Sequence, residues 1–191
     1  MDQRNPRSFK LDLNEVRRQA RVDVDQGAVT PAYRGDRERV IEILNGALAT
    51  ELVCNLRYRR HYFMVSATAG IPGFAIADEF LEHANQEQAH ADMIAERIVQ
   101  LGGEPDFDPK GMTDRSHAEY VAGKDIQSML HEDLIAERIA IQTYAEIIRY
   151  IGDTDPTTRR IMEQILAQEE EHADDLADFM KRIPASATPN R

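Results

Sequence analysis

The chain has 191 residues, 42% of them apolar, which fits one domain with a single sizeable core. It carries 34 acidic against 23 basic residues, and this formal net charge of -11 argues against a general nucleic-acid binder. The one cysteine, Cys54, excludes an internal disulfide and any CxxC zinc or redox motif, so a reducing cytoplasm is the expected compartment.

Residues 1–35 read as a polar N-terminal extension, partly ordered, with seven basic and five acidic residues. Its start, "MDQRNPRSFK", lacks the apolar centre of a signal peptide. A short helix is expected around Leu11 to Val22. The bundle proper is expected over 36–183. Its first long helix begins after Asp36, a good N-cap, and ends before the breaker cluster "TAGIPG" at 68–73. A second helix is expected from about Phe74 to Leu101, stopped by Gly102-Gly103. A third runs from about Asp125 to Ile151, before Gly152. A fourth starts near Asp155-Pro156, where a first turn accepts proline, and runs to about Ile183; a short tail, 184–191, follows. No stretch approaches the roughly 18–20 apolar residues of a membrane span.

Four amphipathic helices of this length specify an all-α, antiparallel four-helix bundle. Helices one and two, and three and four, are joined by short turns. Helices two and three are joined by about 23 residues, enough to travel the length of the bundle with a short helix inside. One long crossover is the ferritin-like connectivity.

Each buried stripe is interrupted near its middle by a carboxylate. The first helix places Glu51 among Leu44, Leu48, Asn55 and Tyr58. The third places Glu137 among Leu130, Leu134, Ile141, Tyr144, Ile148 and Ile151. The second and fourth carry Glu87 with His90 and Glu169 with His172, each pair three residues apart and so on one face. In "AQEEEHADDL" (167–176), Glu170 and Glu171 point outward. A lone E-x-x-H is a weak signal, and glutamates on a wet face would explain it. Two of them on alternate helices, with a stripe glutamate on each other helix and apolar neighbours one turn away, are not explained so. Buried carboxylates are unfavourable without compensating positive charge, and no lysine or arginine occupies the central turns of these stripes. Four carboxylates and two neutral imidazoles around two divalent cations sum to zero charge. Hard oxygen donors with imidazole suit iron, or alternatively manganese.

These segments resemble the bacterioferritins and related ferritin-like proteins over about residues 36–182. The likeness rests on "TELVCNLRY" (50–58), "EQAHADMIAERI" (87–98), "MLHEDLIAER" (129–138) and "QEEEHADDL" (168–176). By that resemblance Glu51 and His90 hold one iron, Glu137 and His172 hold the other, and Glu87 and Glu169 bridge them. Tyr58 matches a family tyrosine that supplies an electron; as a plain core tyrosine it has an equal claim. The resemblance implies a ferroxidase that oxidises Fe(II) with O₂ or H₂O₂ for iron storage, detoxification and oxidative-stress protection. Bacterioferritins bind haem through a methionine directly after the second-helix glutamate; Gln88 stands there, so no haem is expected. The longer crossover, the N-terminal extension and the lack of a fifth helix in "PASATPNR" look more like Dps-like miniferritins. The expected assembly is therefore a homo-oligomeric shell of 12 subunits rather than 24.

The competing reading is a di-iron or di-manganese peroxidase or oxidase of rubrerythrin type that stores nothing. A rubrerythrin usually adds a four-cysteine iron domain, and this chain has one cysteine. A DNA-coating shell is disfavoured by the acidic balance; the basic cluster Arg17, Arg18 and Arg21 has acidic neighbours and fits shell packing better. Cys54 reads as a small packed residue. Asp133 and Asp174 are the expected acceptors for the ligand histidines. Of the other histidines, His61, His83, His117 and His131, His83 is best placed to approach the site, one turn from Glu87.

Overall fold

The computed structural model describes residues 9–68 and 71–182. Six α-helices occur there in chain order: α1 (Leu13–Gln19), α2 (Arg37–Thr68), α3 (Ile71–Gln100), α4 (Met112–Arg115), α5 (Ile126–Ile151) and α6 (Pro156–Arg182). The four long ones hold 32, 30, 26 and 27 residues, roughly 40–48 Å each at 1.5 Å per residue. They form the expected ferritin-like bundle, with α2 packed along α3 and α5 along α6. Segment 101–125, which includes α4, is the crossover. No described helix is long and apolar enough to cross a membrane.

Local chemistry sets the boundaries. The Asp36 side chain accepts from Arg39 N–H at the start of α2. Asp125 and Ser128 form a reciprocal capping box on α5. Gly152, with φ 51°, ends that helix in a conformation that costs a side chain. Asp155 accepts from Thr158 N–H at the start of α6 and takes a two-point ion pair from Arg97 of α3. Tyr33 also donates to Asp155, so the end of the N-terminal segment is tied to the α5–α6 turn.

Two expectations shift. The apparent breaker at 68–73 is largely helical: α2 includes Thr68 and α3 begins at Ile71, three residues earlier than expected. Pro72 then falls in a first turn, where its missing N–H has no partner to lose. The buried stripe of α5 is also rotated. Leu134, Ile141 and Ile148 are only partly covered, while Asp133, Ala136, Ala140 and Ile147 are buried. The crossover is the cause, since Ala118 packs onto Cys54 and Ala136 and covers that flank. Cys54 is buried there as a small core residue. The expected tail, 184–191, lies outside the described residues.

The core comes in two parts. One cluster, built on Leu44, Leu48, Ile94, Ile98, Ile147 and Met162, fills the end near the α5–α6 turn. A second, built on Tyr58, Ile76, Phe80, Leu130 and Leu176, fills the opposite end. The stripe carboxylates sit between these two apolar plugs, each of them at most 1% exposed.

Candidate metal centre

All six sequence-chosen ligands converge at mid-bundle. Glu51, Glu87, His90, Glu137, Glu169 and His172 are each at most 1% exposed. They fall into two sets, Glu51, Glu87, His90, Glu169 and Glu87, Glu137, Glu169, His172, and within each set the donor atoms lie within 4.8 Å of one another. Glu87 and Glu169 belong to both. His90 Nδ1 is 3.2 Å from Glu51 Oε2 and 3.0 Å from Glu169 Oε1. His172 Nδ1 is 3.3 Å from Glu87 Oε1 and 3.7 Å from Glu169 Oε2. Glu170 and Glu171 are exposed, as the helical period requires.

The imidazoles are oriented by glutamines. His90 Nε2–H donates to Gln168 Oε1 at 2.8 Å, and His172 Nε2–H donates to Gln86 Oε1 at 2.7 Å. Each glutamine precedes the glutamate of the opposite helix. With Nε2 carrying the proton, Nδ1 of each ring presents its lone pair to the carboxylates. Two tyrosines finish the shell: Tyr58 donates to Glu137 and Tyr144 donates to Glu51.

Among the described residues, five buried atoms of these six side chains have no hydrogen-bond partner: Glu87 Oε1, Glu137 Oε2, both oxygens of Glu169, and His172 Nδ1. At about 1–3 kcal/mol each, such orphans would cost on the order of 10 kcal/mol, comparable with the whole stability of a domain. Every one of them faces the same space. This donor set fits a pair of divalent cations.

The ferritin-like domain family matches residues 41–186. The chain is a member of that family. It is 31% identical over 142 residues to a bacterioferritin of Desulfovibrio desulfuricans, covering 73% of each chain. It is 29% identical over 140 residues to a DNA protection during starvation protein of Pyrococcus furiosus, covering 72% of this chain and 74% of that one. Among solved structures it resembles the dodecameric thioferritin, a bacterioferritin-related protein, of Bacteroides fragilis, with a TM-score of 0.72 and 34% identity over 78% of this chain and 88% of that one. Dps from Thermosynechococcus elongatus shares the fold, with a TM-score of 0.70 at 19% identity, over 80% and 96% of the two chains.

Protons balance the charge of this ferritin-like centre when metal does not. Burial, then repulsion from Glu169, Glu51 and Glu137, pushes Glu87 well above the usual carboxylate range. Burial and the charge of Glu169 do the same to Glu137. Burial also opposes the Glu51 carboxylate, but hydrogen bonding from Glu87, His90 and Tyr144 holds it below its ordinary value. For His90, burial is outweighed by Glu169 and Glu51, which push it up to about 11. Burial keeps His172 below its ordinary value.

Sequence reasoning misplaced the supporting groups. Asp174 is exposed and touches neither histidine. Asp133 is fully buried but turns to the opposite side of the shell: it accepts from Arg57 Nε at 2.7 Å and pairs with His61 Nδ1 at 2.7 Å. His61 and Arg57 then donate to the crossover carbonyls of Ala122 and Glu119. His61 is thus a core residue that fastens the crossover. His117 bonds Thr50, and His131 is exposed. His83 does approach the site: its ring stacks on His172 with centroids 4.0 Å apart and meets Tyr58 edge-on. Gln86, Gln168 and Tyr144 were missed as supports. Their signals are repeats: Gln-Glu-x-x-His occurs at 86–90 and 168–172, and Glu-x₆-Tyr at 51–58 and 137–144.

Proposed function

We propose that this ferritin-like protein is a ferroxidase that binds two ferrous ions inside the bundle. Glu51 with His90, and Glu137 with His172, serve as terminal ligands; Glu87 and Glu169 bridge. The observation that carries this reading is the set of five partnerless buried donor atoms facing one space between two apolar plugs. A purely structural core would have to hold protons there instead, on carboxylates and an imidazole pushed far from their ordinary values.

Iron is the substrate. Two Fe(II) ions give one electron each, and the pair reduces O₂ to H₂O₂, or H₂O₂ to two water molecules, with two protons taken up. The four carboxylates favour Fe(III) over Fe(II), because hard anionic oxygen stabilises the higher charge. Gln86 and Gln168 hold the imidazoles in the ligating tautomer. Tyr58, bonded to Glu137, is placed to supply a further electron. Manganese suits the same donors. Gln88 bonds Asp92 and offers no sulfur to a haem iron.

Family membership supports storage in a homo-oligomeric shell, and twelve subunits is the preferred count, supported by the 34% identical Bacteroides fragilis relative described as dodecameric. The net charge of -11 favours iron detoxification in the cytoplasm over coating of DNA, although some relatives carry DNA-binding names.

The test is anaerobic Fe(II) titration followed by oxidant, followed optically, with the Glu87→Ala, His172→Ala double variant alongside. Saturation near about two irons per chain, with fast oxidation absent from the variant, is the expected result. Equal oxidation by the variant, or no stoichiometric binding, rejects the reading. Mass measurement of the assembly separates a storage shell from a non-storing peroxidase or oxidase.

A further inference from the structure

The two helix pairs repeat one another about the centre, with Glu51, Tyr58, Gln86, Glu87 and His90 matched by Glu137, Tyr144, Gln168, Glu169 and His172. One turn and two turns before Glu87, and three residues after His172, the match fails. Glu79, His83 and Asp175 stand where the other half has Ile161, Ile165 and Met93. Those counterparts pack in the apolar core. Three apolar positions have thus become two carboxylates and an imidazole, all at the Tyr58 end of the centre.

The three side chains meet. His83 Nε2 lies 3.2 Å from Glu79 Oε1 and 4.0 Å from Asp175 Oδ2, and the donor atoms all fall within 4.8 Å of one another. Among the described residues only this group joins the two halves of the centre as a cluster of metal-ligating geometry. His83 is 1% exposed, yet its Nδ1 has no hydrogen-bond partner. Two carboxylates and a neutral imidazole cancel one divalent charge, and the mixed oxygen and nitrogen set suits Fe(II), Mn(II) or Zn(II). Exposure falls inward along the cluster: the side chain of Asp175 is 48% exposed, that of Glu79 24% and that of His83 2%. The innermost ring stacks on His172, a donor of the closed centre.

We propose that Glu79, His83 and Asp175 form a third divalent-cation site, from which metal passes to the two-metal centre past His172. The passage rests on the di-metal reading above; the binding of a cation at the cluster does not.

The experiment uses the full chain and Mn(II) as probe. Crystals soaked in Mn(II) are measured for anomalous scattering, in the wild type and in the near-isosteric variant Glu79→Gln, Asp175→Asn. The rate of Co(II) loading is followed by its absorption in solution. Expected is a peak among the three donors in the wild type that vanishes in the variant, while peaks at the centre persist. Loading of the centre slows about tenfold or more, the scale at which focusing charges raise arrival rates. No peak at the cluster, or a variant that loads at the wild-type rate, overturns the proposal. A peak at the cluster with none at the centre rejects the di-metal reading instead and leaves the third site standing.

Discussion

The two halves of the bundle use the same five residues around the candidate metal centre and differ in what lies beyond them. Toward the α5–α6 turn, the layer next to the ligands is apolar: Ala47, Ile147 and Ile165 pack with Leu44 and Met162. Toward the other end, the matching positions are Asp133, His61 and His83, and Arg57 joins them. The lesson is that two-fold repetition builds the ligand cage, and departures from it add separate jobs. On one flank, Arg57, Asp133 and His61 fasten the crossover; on another, His83 reaches toward solvent through Glu79 and Asp175.

The comparison is broken most completely at the bridging carboxylates. On the proposed two-metal reading, Glu87→Ala or Glu169→Ala removes a side chain common to both sets, so each is expected to abolish tight binding of both metals. Glu51→Gln and Glu137→Gln each spare one set and leave about one metal per chain. Calorimetric titration with Mn(II) distinguishes these outcomes, and equal losses from all four variants contradict shared bridging.

Next in size is the asymmetric network. Asp133→Ala leaves Arg57 buried without its carboxylate, a loss of about 3–5 kcal/mol in urea unfolding. The double change Arg57→Met, Asp133→Leu, which removes both charges, recovers most of that loss if pairing is the cause.

The symmetric glutamines sharpen the likeness of the halves. Gln168→Leu weakens the metal set of His90, and Gln86→Leu that of His172, each by about 10–100-fold. Metal titration of the two variants shows matching losses at opposite sites; a change in neither affinity removes the glutamines from the account.

The proton balance predicts a pH effect in the metal-free chain. Glu87 and Glu137 lie well above the carboxylate range and His90 is pushed up to about 11, so above the unfolded values the folded chain holds more protons than the unfolded one. Stability therefore falls as pH rises from about 6.5 toward 9. His172 and His83, which burial lowers, act with the opposite sign and only below about 6.5. Melting curves across that range decline for metal-free protein and stay flatter for the Mn(II)-loaded form, whose ligands have already lost their protons.

The smallest effect concerns the tyrosines. Tyr58→Phe and Tyr144→Phe each delete one hydrogen bond to a terminal glutamate, worth about 1 kcal/mol in metal-free stability. If Tyr58 alone is an electron donor, only Tyr58→Phe also changes the yield of oxidised iron.

The bundle and the six converging side chains were legible in the chain alone. A helical period of 3.6 residues fixes which face a residue occupies, and a glutamate among leucines on a buried face is visible without coordinates. Helix ends were equally legible where a cap announces them, as at Asp36 and Asp125. What a residue meets across the bundle was not legible, because that depends on how far one helix slides and turns against the next. Asp133 sits one turn from Glu137, yet the rotation of α5 under the crossover aims it at Arg57 and His61. Gln86 and Gln168 became supports only when α3 and α6 came to lie antiparallel, each glutamine opposite the other helix's histidine. Periodicity is a property of one helix, while register and rotation arise from packing between helices and are fixed only when the bundle assembles.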